Sequence, residues 1–142
     1  MTVRHILDQK GRDVVTVNPT MVTEEAVRFL ADNKIGAVVV TGPGGKIAGI
    51  LSERDIVRAV AKKGAAALTA SISDIMTSKV TTCGQSHSVN QVMELMTNGR
   101  FRHLPVEEGG KLIGIISIGD VVRRRIEDVE REAAEIKAYI AS

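Results

Sequence analysis

The sequence has no tryptophan, one tyrosine, two phenylalanines and a single cysteine. Aromatics at 2% leave any core aliphatic and remove the stacking platforms on which single-stranded nucleic acid is usually held. With Cys83 alone no internal disulfide can form, and an oxidising compartment is not implied. No apolar run approaches the roughly 18 residues of a membrane span. The opening MTVRHILDQK holds nothing long enough for a signal peptide, so a cytoplasmic protein is expected. Neither charge sign dominates: 19 Lys and Arg face 17 Asp and Glu, a net charge of +2. That is far from the excess of a nucleic-acid binder but enough to meet a few phosphate groups. Metal-ligand spacings such as Cys-x-x-Cys or His-Glu-x-x-His are missing, and no motif sets His5, His87 or His103 beside a serine as a base. Neither catalysis nor a metal is expected. Cys83 reads as a small apolar residue at a strand end and His87 as exposed loop.

What the sequence does have is a repeat. GKIAGILSERDIVR (45–58) returns as GKLIGIISIGDVVR (110–123), sharing both Gly, Lys, Ile, Ser, Asp, Val and Arg in place. Upstream, Val17 to Val40 aligns with Cys83 to Val106 at a shift of 66; the intervening loop TGPGG (41–45) is one residue longer than EEGG (107–110). A unit filling the chain twice marks a duplication, and 142 residues suffice for one compact module with a real core.

Each copy reads strand, helix, strand, strand, helix. In the first, residues 14–17 form a short β-rich run closed by Asn18-Pro19. Thr23 is the cap candidate for a helix opened by Glu24 and Glu25, with Ala26, Val27 and Leu30 as its buried stripe. Residues 37–40, AVVV, lack alternation, which predicts a strand buried on both faces. The GPGG turn (42–45) leads to a strand at 47–51 and a helix from Asp55 to Lys63, stopped by Gly64. In the second copy Ser88 and Gln91 fit a capping box before a helix using Val92, Met93 and Met96. Strands follow at 103–106 and 112–116. Residues 64–70 read as a linker or loose helix end and 72–76 as a short helical turn. The final helix, Asp120 to about Ile140, carries Val122, Ile126, Val129, Ala133, Ile136 and Ile140 at spacings of 4, 3, 4, 3 and 4. That is a heptad seam of under three heptads, suited to use between subunits.

Both copies end in Gly-x-x-Ser-x-x-Asp, at Gly49, Ser52 and Asp55 and again at Gly114, Ser117 and Asp120. The glycine admits a ligand or a neighbouring backbone close to the strand. The serine hydroxyl and the amides opening the next helix suit a phosphate. The aspartate sits in the first helical turn, where two carboxylate oxygens can accept both hydroxyls of a ribose. The bland alternative is that Ser-x-x-Asp is a helix cap; capping alone requires neither the glycine nor the polar pair Arg102-His103 at the mouth of an apolar strand. Arg54, replaced by Gly119 in the second copy, is a phosphate candidate or a solvated cation.

These motifs, IGAVVV (35–40) with GILSERD (49–55) and RHLPV (102–106) with GIISIGD (114–120), resemble the cystathionine-β-synthase (CBS) domain family, whose members usually occur as pairs. The Ile75-Met76 turn is also typical. The resemblance covers almost the whole chain and implies an α/β (α+β) fold: two β-α-β-β-α units, 1–69 and 70–142, packed with pseudo-twofold symmetry, the second with an extended C-terminal helix. It implies two clefts. One would use Ile50, Ser52, Arg54 and Asp55 with Lys79, Val80, Arg102, His103, Leu104 and Pro105. The other would use Ile115, Ser117 and Asp120 with Asp13, Val14, Ala37 and Val38. Family ligands there are adenosine compounds: AMP, ADP, ATP, S-adenosylmethionine or NAD(H). Where the Asp55 cleft has Arg102-His103 and Lys79, the other has Gly36-Ala37 and Asp13, so the better-charged anion is expected beside Asp55.

Two non-enzyme readings follow. In one the chain is a ligand-sensing module, homodimeric, in which a bound nucleotide shifts a conformational equilibrium read by a separate partner protein. In the other the clefts are vestigial and the heptad helix is the working surface of a dimeric interaction protein. The intact Ser/Asp pairs favour the sensor. A nucleic-acid role for Arg123, Arg124 and Arg125 is disfavoured, because Glu127, Asp128 and Glu130 follow at once.

Overall fold

A computed structural model describes residues 1–142. The elements run α1 (Val3–Lys10), β1 (Thr16–Val17), α2 (Thr23–Asn33), β2 (Ala37–Thr41), β3 (Ile47–Ser52), α3 (Glu53–Lys63), α4 (Val89–Gly99), β4 (His103–Glu108), β5 (Lys111–Ser117) and α5 (Ile118–Ala141). Short 3-10 segments occupy Pro43–Gly45, Gly64–Thr69 and Ile72–Asp74. No helix is long and apolar enough to cross a membrane. The chain forms two compact units, one of residues 14–81 and 109–112, the other of residues 1–13, 82–108 and 113–142.

In the first of these, β1 pairs parallel with β2 and β2 antiparallel with β3, from Ala37 opposite Ser52 to Thr41 opposite Ile47, with a register shift at Val40/Thr41. Ala37, Val38, Val39 and Val40 are all buried, as the unbroken apolar run predicts. Val17, Ala26, Leu30, Val38, Val40, Leu51 and Ile72 form the core. The strand expected at 14–17 is only Thr16–Val17. Thr23 is not the cap of α2: Val22 holds that position, and Thr23 is wholly buried, donating its hydroxyl to the Ala70 carbonyl at 2.8 Å. A hydroxyl with a main-chain acceptor from the 64–70 segment can be buried without loss, so it staples that segment to the helix instead of capping it.

The other unit holds β4 and, from Ile113 onward, its sheet partner β5. Where the first repeat pairs Val17 with Val40, Cys83 makes an isolated parallel bridge to Val106, at the positions the 66-residue shift predicts. Its core joins Val3, Ile6 and Leu7 of α1 to Cys83, Val89, Val92, Met96, Leu104, Val106, Ile116 and Val121. Helix α1 is unforeseen in the motif reading, although its three apolar residues stand at helical spacing. Cys83 is buried as expected, and burial pushes its thiol up to about 12. His87 is not exposed loop but half-buried, its ring Nδ1 accepting from the Gly84 amide at 2.9 Å, and its carbonyl accepts from Val3.

Helices start where the capping chemistry sets them. Ser88 and Gln91 make the expected reciprocal bonds at α4. Helices α3 and α5 open two residues earlier than the motif reading placed them, directly after Ser52 and Ser117. Gly64, at φ +62°, ends α3 in a conformation costly for any residue with a Cβ.

Candidate functional site

The two Ser-x-x-Asp motifs sit at strand-to-helix junctions, β3 into α3 and β5 into α5, and both are complete capping boxes. At the first, the Asp55 amide donates to Ser52 Oγ at 3.3 Å, while the Ser52 amide and hydroxyl donate to Asp55 Oδ2 at 2.9 and 3.1 Å. At the second, the Asp120 amide donates to Ser117 Oγ at 3.2 Å and the Ser117 amide to Asp120 Oδ2 at 2.8 Å. The capping reading of Ser-x-x-Asp is therefore met in full at both junctions.

This corrects the expected phosphate cradle of helix-start amides. The first helical amide of α3, from Glu53, donates to the Gly36 carbonyl at 3.0 Å; that of α5, from Ile118, donates to the Arg102 carbonyl at 2.8 Å. The third amide in each case goes to the serine. Two of the first three donors at each helix start are spent inside the protein, leaving the side chains, not a row of amides, as the chemistry on offer.

Each aspartate has a further partner from its own unit. Asp55 Oδ1 accepts the Thr77 hydroxyl at 3.0 Å. Thr77 is held there by reciprocal main-chain bonds with Ile50, both 2.9 Å. Asp120 Oδ2 instead meets the Lys10 ammonium at 2.7 Å, and the same nitrogen donates to the Ile115 carbonyl at 2.8 Å. Partial burial raises the Asp120 pKa, but the hydrogen bonds from Lys10 and Ser117 and the Lys10 charge outweigh it and hold this carboxyl below its ordinary value. Asp55 is 8% exposed, yet a carboxylate has about four acceptor sites, so its three bonds leave capacity for one more donor.

The repeated glycines receive a different explanation from a ligand. A Cβ on Gly49 would stand 2.7 Å from both Met76 Sδ and the Thr77 carbonyl oxygen, and one on Gly114 would stand 2.7 Å from Leu7 Cδ2. Neighbouring backbone approaches closely at Gly49, whereas a side chain does so at Gly114. The signal missed in the sequence was the partner: the Ile75-Met76-Thr77 turn in one unit and α1 in the other.

The remaining sequence-assigned residues divide by unit. Ile50, Arg54, Lys79 and Val80 belong with Asp55, whereas Arg102, His103, Leu104 and Pro105 belong to the other unit. Ile115 belongs with Ser117 and Asp120, as does Asp13, while Val14, Ala37 and Val38 do not. Arg54, Lys79, Arg102 and Asp13 are exposed, and Ile50, Val80, His103, Val14 and Ile115 half-buried. Ala37, Val38, Leu104 and Pro105 are buried, with Val38 and Leu104 spent on their own cores. A shallow cavity of about 150 Å³ beside Asp120 is lined by Ile6, Gln9, Lys10, Arg123 and Arg124.

Comparison with known proteins matches this construction. The description "CBS domain" fits residues 3–62 and 72–127. A crystal structure of a CBS-domain-containing protein from Agrobacterium tumefaciens is 56% identical, with a TM-score of 0.85 over 87% of this chain and 92% of that one. The CBS domain pair of protein MJ0100, solved in complex with 5′-methylthioadenosine and S-adenosyl-L-methionine, is 25% identical, with a TM-score of 0.77 over 87% of this chain and 98% of that one. The CBS domain-containing protein CBSX3, mitochondrial, of Arabidopsis thaliana is 34% identical over 98% of this chain and 71% of its own length. Duplicated motif, paired capping boxes and matching relatives agree, and the chain belongs to the CBS-domain family.

Proposed function

We propose that this chain is a regulatory, non-catalytic module that binds an adenosine ligand (AMP, ADP, ATP, NAD(H) or S-adenosylmethionine), works as a homodimer, and is read by a protein outside these 142 residues. The observation that carries the reading is the retention in both repeats of a serine–aspartate pair whose carboxylate is fixed in position by capping and keeps acceptor capacity for a ribose. The adenosine ligands of MJ0100 support the ligand class. The residues assigned to two clefts from the family resemblance form part of the proposal, as does a cytoplasmic location, although the plant relative is named as mitochondrial.

Asp55 is the stronger of the two positions. Its extra partner is a neutral hydroxyl, which a ribose hydroxyl can replace on equal terms. At Asp120 the Lys10 ammonium holds Oδ2 with a charge-assisted bond about twice as strong as a neutral one, so a ribose there is offered Oδ1 alone and beside a neutralising cation. The test is calorimetric titration with AMP, ATP, NADH and S-adenosylmethionine. At least one should bind, and Asp55→Ala should weaken it more than Asp120→Ala, by about 1.5–3 kcal/mol for each hydrogen bond lost to the carboxylate. A folded protein that binds none of the four would transfer the assignment to a dimeric interaction protein with vestigial clefts.

A further inference from the structure

Helix α5 turns two different faces outward and inward. Val121, Arg124 and Asp128 are buried against their own unit, with Arg124 Nε 3.3 Å from Asp128 Oδ1. The opposite face is the heptad seam, and it lies open: Val122 is 41% exposed, Ile126 53%, Val129 46%, Ile136 60% and Ile140 78%. From residue 129 to the end of the helix every residue is exposed. With Ile126, Ala133 and Ile140 as a positions and Val122, Val129 and Ile136 as d positions, the buried residues fall at c and f, away from the seam.

The flanking positions then carry a self-complementary charge pattern. Position e holds Arg123, Glu130 and Lys137; position g holds Arg125, Glu132 and Tyr139. The ion pairs within the helix use Arg124, Glu127, Asp128 and Arg131, all at b, c or f, so these e and g charges are not consumed at home. In a parallel, in-register pair each g residue faces the e residue five positions on in its partner. Arg125 then meets Glu130 and Glu132 meets Lys137, each twice by symmetry, over all six apolar layers. In an antiparallel pair keeping all six layers, e faces e and g faces g: Glu130 meets Glu130, Glu132 meets Glu132, and Arg123 meets Lys137. An antiparallel pair slipped to join Arg123 with Glu130 leaves Ile136 opposite Gly119 and Ile140 uncovered.

We infer that a second copy of this chain occupies the seam, as a parallel, in-register, two-stranded coiled coil of α5. This rests on the homodimer reading above and adds its geometry. Both α5 C-termini lie at one end of the assembly, and the two capping boxes at Ser117 and Asp120 lie side by side at the other.

Cysteine crosslinking with sedimentation tests it, since the native Cys83 is buried and does not interfere. Val122→Cys and Ile140→Cys, each alone, should form disulfide-linked dimers under mild oxidation. The antiparallel alternative would instead link only a mixture of the two variants, and that result would overturn the inference. As a second arm, Arg125→Glu should weaken dimerisation by about tenfold, since two attractive pairs become repulsive. The double change Arg125→Glu with Glu130→Arg should restore it; a double variant weaker than the single one would also overturn the parallel pair. A dimer indifferent to every α5 change would remove the coiled coil and leave the homodimer standing. A monomer or a trimer by sedimentation would overturn the two-stranded pair; a monomer also ends the homodimer and gives the seam to a different protein. Nucleotide titration reads the ligand proposal separately.

Discussion

The Ser52–Asp55 and Ser117–Asp120 junctions share one cap and differ in what presses on it. At the first, the neighbour is a short turn, residues 72–77, whose main chain pairs with Ile50 and whose Thr77 hydroxyl reaches Asp55. At the second it is a full helix, α1, whose Leu7 lies over Gly114 and whose Lys10 reaches Asp120. Duplication has preserved the local hydrogen bonds, which the motif encodes, while the supporting element changed length and charge. The copy with the neutral neighbour keeps a carboxylate open to exchange. The copy with the cation has one carboxylate oxygen, Oδ2, held by an ammonium.

The sharpest way to break this comparison is to fill the two glycines. Gly49→Ala should destabilise near the upper end of about 1–3 kcal/mol, because its Cβ meets the fixed Thr77 carbonyl. Gly114→Ala should sit near the lower end, because the obstacle is the movable tip of Leu7. Equal losses in urea denaturation would show that both neighbours are equally rigid. Next come the polar partners. Thr77→Val should cost about 0.5–1.5 kcal/mol, the worth of one hydrogen bond. Lys10→Met should cost about 0.5–1 kcal/mol, since Lys10 is partly solvated and its ion pair is screened.

The Lys10→Met effect should depend on pH. Asp120 has its folded pKa below its unfolded one, so its contribution is present above the unfolded value and lost as pH falls through the folded one. The stability gap between wild type and Lys10→Met, followed by thermal unfolding from pH 7 downward, should therefore narrow below about pH 4. Smallest of all is the expected reaction of Cys83 with a thiol reagent in the native protein at pH 7. It should be undetectable until denaturant is added, because the thiol is buried and its pKa is pushed up to about 12.

Local chemistry was the legible part of this sequence. The buried run at 37–40, the caps at Ser52, Ser88 and Ser117 and the heptad spacing of α5 all depend on residues within one or two turns of each other. What escaped was tertiary. Thr23 looks like a cap because Thr followed by two glutamates usually is one; only the approach of Ala70 makes it a buried staple. Gly49 and Gly114 signal a close approach without saying of what, because the side chains that pack on them, Met76 and Leu7, lie 27 and 107 residues away. Arg124 and Asp128 stand in a run of charges, yet α5 turns them inward as a pair and its aliphatic stripe outward. Side-chain spacing identifies the stripe but not which side of the helix the body of the unit covers.

One feature of the packing bears on how the chain is made. The core that holds Leu104 and Ile116 also requires Val3, Ile6 and Leu7, so its pieces are synthesised on either side of residues 14–81. Residues 14–81 have nearly all of their partners close by in sequence and can settle while the ribosome is still at work. Helix α1, eight residues long, is too short to persist alone and must wait for α4, β5 and α5 to emerge. Closing so long a loop adds little free energy, since each doubling of length costs only about 0.6 kcal/mol. The effect falls on timing: the unit that carries α5 forms after residues 14–81 have been made, so the Ser52–Asp55 junction is in place before the Ser117–Asp120 junction.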